Sequence, residues 1–178
     1  MNGVARFART SRALHWTMAA MVLAMLFIGM SMVASLGAYH SLLSVHRPLG
    51  ILVLVFVVVR FVNRQIHPPP PFLQDMSSRE RIVASASERL LYLLMFLQPL
   101  VGWGMLSAAR YPIAMVGPIW LPPILPHSAM LYAVLRKTHT VLAYLLFLTF
   151  LAHFSAVLFH TFIVRDRLFD RMAPWKVR

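Results

Sequence analysis

Hydrophobic positions in this chain come in long unbroken blocks, and the charged positions mark where the blocks end. Residues 13–46, 90–109 and 138–164 contain no Asp, Glu, Lys or Arg. Each block is long enough to cross about 30 Å of hydrocarbon as a helix. A shorter uncharged run, 48–59, stops at Arg60; it becomes a fourth span if that long side chain snorkels to the interface and the helix begins near Ser44. The pattern predicts an all-α fold, an integral membrane four-helix bundle with helices about 13–36, 44–62, 90–108 and 131–164, in a single domain over residues 1–178. The link after the second helix is stiffened by four consecutive prolines, 68–71, and residues 78–90 are expected to form a short interfacial helix. Pro112, Pro118, Pro122, Pro123 and Pro126 break the segment 109–130, which is expected to lie as an apolar cap on the outer bilayer surface.

Composition agrees with a membrane protein: 60% of residues are hydrophobic, 12% are charged, and the mean hydropathy is +0.71. Arg6, Arg9 and Arg12 ahead of the first block resemble the start of a signal peptide, but the apolar stretch exceeds a usual signal core and reads as a retained helix. The absence of cysteine excludes disulfides, thiolate-held iron–sulfur clusters and covalent haem attachment, so any redox centre must be held by His or Met. Of the 17 Lys and Arg residues, only Arg47, Arg110, Arg136 and Lys137 fall on one side of the four predicted spans; the rest, including Lys176 and Arg178, fall on the other. That asymmetry predicts both termini cytoplasmic. All five acids lie on the cytoplasmic side too, which leaves the outer face cationic. The formal charge of +12 is spread over membrane-flanking segments, so no nucleic-acid partner is expected.

The candidate chemistry lies in the histidines. His139 and His153 are two heptads apart in an uncharged helix and His160 follows one heptad later, with Leu146 at the missing step, so all are expected on one seam. Ionisable groups in a membrane helix usually mark function. His139 and His153 are about 21 Å apart along such a helix, too far to share one metal. His15 enters from the cytoplasmic end of the first helix and His46 from the outer end of the second. Depth therefore pairs His46 with His139 and His15 with His153, each pair suited to clamp a b-type haem iron between two imidazoles. Zinc or copper sites gather more protein ligands at one point. Methionine ligation stays open, although the 12 Met occupy core-like positions. Gly29, Gly50, Gly102 and Gly104 thin the outer half, where one macrocycle needs room; each alone is equally a helix-packing residue. Gln98–Pro99 is expected to kink the third helix. His40, His67 and His127 lie in loops and are left outside the site.

These residues resemble the small bacterial cytochrome b561 family, over nearly the full length. The resemblance rests on R-A-L-H-W at His15, on His46 with Gly50, Arg60 and Arg64, on the run from Leu90 to Gly102, on His139, His153 and His160, and on the closing R-D-R-L-F-D-R-M-x-P. The chain departs from the usual pattern at Arg47–Pro48. The family implies two b haems on four histidines, residence in the bacterial inner membrane as a multi-pass protein, and electron exchange with quinone. Some members resemble a superoxide oxidase, which takes electrons from superoxide at the outer face and gives them to ubiquinone.

The residues bear on that implication at two places. The uncompensated outer cations would attract an anion such as superoxide, or would equally pair with lipid phosphates or haem propionates. His160, a heptad beyond His153, is placed to hydrogen-bond a quinone carbonyl and pass it a proton, or is a plain interfacial histidine. Two functions remain open: a self-contained superoxide:ubiquinone oxidoreductase, and a cytochrome b anchor and electron conduit for a partner dehydrogenase or hydrogenase subunit. A haem-free bundle would leave the paired histidines without a role.

Overall fold

The computed structural model describes residues 5–115 and 117–175; Lys176 and Arg178, counted above for orientation, lie outside them. Four long helices account for most of the chain: α1 (Arg9–Ala34), α2 (Tyr39–Ile66), α3 (Ser78–Ala108) and α4 (Ala129–Phe159). Each is long and apolar enough to cross a membrane. A π-helical turn, His160–Val164, continues α4, and a single 3-10 turn, Phe169–Arg171, follows. Among the described residues the extended structure is limited to one bridge between Ala114 and Trp120. The expected all-helical four-span class is what forms.

Three helix boundaries differ from expectation, each for a local reason. Pro48 does not open α2 but sits well inside it; the helix begins at Tyr39 and accepts the missing amide, since proline's fixed φ is helical and only one backbone bond is lost. The short interfacial helix and the third span are one helix, started by a capping box in which Ser77 accepts from Glu80 N and Glu80 Oε2 accepts from Ser77 N. α1 starts at Arg9 rather than near residue 13, because its polar first turn lies beyond the apolar block and is anchored from the C-terminus.

Those anchors gather the first and last described residues at one end of the bundle, here called the terminal end. Arg6 donates to the carbonyls of Asp170, Ala173 and Trp175, and Trp16 Nε1 donates to Met172 O at 2.9 Å. Arg171, only 4% exposed, donates to Ala5 O and Pro71 O and lies over the Phe7 ring. At the opposite, cap end, the proline-rich segment is pinned down. Trp103 Nε1 donates to Pro122 O, Ser107 Oγ accepts from Ile124 N, and the last carbonyl of α3, Ala108 O, accepts from Ser128 N and His127 Nδ1.

α1 packs on α2, α2 on α3, and α3 on α4, whereas among the long helices α4 packs closely on α3 alone. The apolar core is a mid-bundle layer of Met18, Val22, Val57, Leu94, Met95 and Leu146. Leu146 thus fills the step between His139 and His153, as its register predicts. The Arg171 clamp should stabilise the terminal end by about 3–6 kcal/mol, the range for two hydrogen bonds from a charged donor. Arg171→Met should lower the thermal unfolding midpoint in detergent, and an unchanged midpoint would show the clamp to be dispensable.

Candidate functional site

Two clusters of polar groups are enclosed within the bundle, one on each side of the apolar layer. At the cap end, α2 supplies His46 and α4 supplies His139, with ring centroids 6.3 Å apart and planes at 68°. Glycines make room for both rings. A methyl group built on Gly102 of α3 would meet His139 Cε1 at 3.1 Å, and one on Gly29 of α1 would meet His46 Cε1 at 3.8 Å. The two rings are therefore seated against backbone that carries no side chain. Gln98 Nε2 donates to His139 O at 3.1 Å and holds α3 to α4 at this level.

The expected roles of the four glycines divide. Gly29 lies against His46 in the outer half. Gly50 faces Met25, and Gly104 is tightly covered by Leu125 of the cap, so it serves packing there rather than space between helices. Helical register gives which residues share a face, but which neighbouring helix covers that face is a tertiary matter.

At the terminal end, His15 of α1 and His153 of α4 lie within electrostatic reach of one another and of Arg60 of α2. Arg60 Nε donates to Tyr92 Oη at 2.9 Å, and its guanidinium lies 5.4 Å from the ring centre. Arg64 pairs with Glu88, and Asn63 donates to Ser11 Oγ. These groups line a cavity of about 20 Å³, room for a single water. Arg60 and Arg64 were legible as cations in α2, but their partners Tyr92 and Glu88 were not singled out.

His160 begins the π-helical turn and its Nδ1 lies 2.5 Å from Asp166 Oδ2, both side chains being largely buried. Asp166 is aimed by a sharp reversal in which Arg165 and Arg167 both take left-handed φ, 58° and 63°, and its Oδ1 accepts from Leu168 N. A carboxylate behind an imidazole fixes which nitrogen faces outward. This partner was not foreseen, because the i,i+6 spacing matches no helical contact; the π turn creates it.

One feature unites the two levels. The buried side-chain nitrogens and oxygens without a hydrogen-bond partner among the described residues are Arg12 Nε and His15 Nδ1 at the terminal end, and His46 Nδ1, Arg47 Nε, Gln98 Oε1 and His139 Nδ1 at the cap end. Leaving such an atom unpaired costs on the order of 1–3 kcal/mol. Gln98 and the two arginines were the signal that the sequence reading passed over: each is a polar residue inside or at the edge of an otherwise apolar block.

Residues 6–175 match the model of the prokaryotic cytochrome b561 family. The chain belongs to that family. It is 31% identical to cytochrome b561 homolog 2 of Escherichia coli (strain K12) over 174 residues, covering 96% of this chain and 93% of that protein. A second relative, the probable superoxide oxidase CybB of Yersinia pestis, is 26% identical over 138 residues, 74% of each chain. The protein is thus a bacterial membrane protein of an electron-transfer family, and cytochrome b561 membership implies b-type haem.

The residues fit such a group. Two metal–imidazole bonds of about 2 Å, plus the half-width of each ring, set the centroids of two axial histidines about 6 Å apart, and His46 and His139 stand at 6.3 Å. The described residues contain no group of three or more His, Cys, Asp or Glu at one point, so a donor set of two imidazoles per level suits an iron whose other ligands come from a porphyrin. Gly102→Ala forces His139 to yield by a few tenths of an ångström and should shift the reduced-minus-oxidised haem spectrum. Gly37→Ala, with nothing within 4 Å, should leave it unchanged; equal behaviour of the two would show that Gly102 does not seat the ring.

Proposed function

We propose that this protein is a dihaem b-type cytochrome of the bacterial inner membrane, a multi-pass oxidoreductase that takes electrons from superoxide at the periplasmic face and delivers them to ubiquinone. The observation that carries it is the division of unpartnered buried polar atoms into two levels, on either side of one apolar layer. His46 and His139 would hold the haem iron at the cap end, and His15 and His153 would hold the one at the terminal end. The haems supply one-electron chemistry, and everything else is done by the chain. The excess of Lys and Arg at the terminal end makes that end cytoplasmic.

At the cap end Arg110, Arg136 and Lys137 are solvent-exposed, and none of the five acids lies in that part of the chain. A cationic face of this kind concentrates a small anion and speeds its encounter. Arg47, grouped with these cations from the sequence, is instead tied to the cap through Pro112 O at 3.2 Å. The name of the Yersinia pestis relative favours superoxide as the donor.

At the terminal end His160 is the residue for quinone. With Nδ1 engaged by Asp166, its Nε2 is left to hydrogen-bond a quinone carbonyl and pass it a proton.

Replacing Arg110, Arg136 and Lys137 with Gln should slow haem reduction by superoxide about tenfold at low ionic strength, and the wild-type rate should fall as salt rises. Rates equal in both proteins at all salt concentrations would remove the steering role. A wild type that superoxide does not reduce would point to the alternative role as an electron conduit for a partner dehydrogenase or hydrogenase subunit.

His160→Ala should leave both haem spectra intact while slowing reoxidation of the reduced protein by ubiquinone. Asp166→Asn should slow it less. Unchanged reoxidation in both variants would place quinone elsewhere.

A further inference from the structure

We infer that Arg12 and Arg47 are carboxylate-binding residues, each holding the propionates of the haem at its own level; this rests on the two-haem reading above. Both guanidiniums are half-satisfied in the same manner. One terminal nitrogen is fixed by a backbone carbonyl, Arg12 Nη1 on Ala173 O at 2.9 Å and Arg47 Nη1 on Pro112 O at 3.2 Å, while Nε of each is buried without a partner. The ion pairs formed among the described residues are Arg64–Glu88, His160–Asp166 and Arg167–Asp170, so neither arginine has a carboxylate of the chain.

A buried guanidinium Nε without an acceptor is unfavourable, and the planar fork of five donors matches a carboxylate better than any other side chain does. Protohaem brings two carboxylates on one edge. Other arginines of the bundle have partners: Arg60 is met by Tyr92, Arg64 by Glu88, and the buried Arg171 by Ala5 O and Pro71 O.

Placement gives the direction in which each carboxylate edge would point. Arg12 lies three residues before His15, on the same face of α1 and nearer the terminal end. Arg47 follows His46 and reaches away from the mid-bundle layer, toward the cap. At both levels the cation therefore stands on the water side of its histidine, and the carboxylate edges would face away from the apolar core.

A nearby cation disfavours the oxidised, more positive haem and so raises its reduction potential. The test is redox titration of the holoprotein purified in neutral detergent, together with redox-difference infrared spectra of the carboxylate region. Arg47→Gln should lower the midpoint of the His46/His139 centre and leave the other in place, Arg12→Gln should do the reverse, and each should shift a carboxylate band. The Lys variants should keep most of the wild-type potential; loss of one haem from a Gln variant but not from its Lys counterpart would also support the assignment. Two bound haems with both midpoints and all carboxylate bands unmoved would overturn it. So would shifts of equal size in the Lys and Gln variants, the mark of a purely structural strap to the cap or C-terminus. A shift seen only in anionic-lipid nanodiscs would assign the arginines to lipid phosphate instead. A wild type without haem would sink the two-haem reading itself, a distinguishable result.

Discussion

The constraint on which the rest of this structure depends is the cost of placing imidazole, amide and guanidinium groups inside an apolar bundle. Such groups are tolerated in a membrane only where something completes their bonding. In this protein they sit in two layers, with Met18, Val22, Val57, Leu94, Met95 and Leu146 between them. The helix packing agrees with that division. α4 carries one histidine for each layer, yet packs closely on α3 alone, so His139 and His153 reach toward α2 and α1 across space that close-packed helices would have filled.

The two ends of the bundle are built differently, and each construction suits its task. At the cap end the described residues between α3 and α4 have little regular structure, but they are fastened to α3 by backbone and side-chain hydrogen bonds. They can cover the His46/His139 level while leaving cations on their rim. At the terminal end the C-terminal turn is fastened from below by Arg6, Arg12 and Trp16 and locked by Arg171. The reversal leading into that turn carries Asp166, which bonds His160.

Much of this was legible in the sequence because membrane helices announce themselves by the length of their uncharged blocks, and because a heptad spacing fixes which residues of one helix share a face. His139, Leu146 and His153 could be placed in register for that reason. What was not legible depended on contacts between helices or on departures from α geometry. Pro48 and residues 78–90 misled at the boundaries, since local signals for a helix start were overridden by continuous packing. Gly29 was placed in the outer half, but its contact with His46 is one between different helices. The π turn that brings Asp166 to His160 has no sequence period of its own. Gln98, Arg12 and Arg47 were readable as polar residues in apolar surroundings, yet their meaning emerges only once their unpartnered atoms are seen to cluster with the histidines.

The most direct test of the account is the haem content of the purified protein and of two variants, measured by pyridine haemochrome after acid-acetone extraction. The account predicts two extractable protohaems per chain in the wild type, one in His46→Ala, and still one in the double variant His46→Ala/His139→Ala, because those histidines serve a single centre. Fewer than two in the wild type, or none in the double variant, would contradict it.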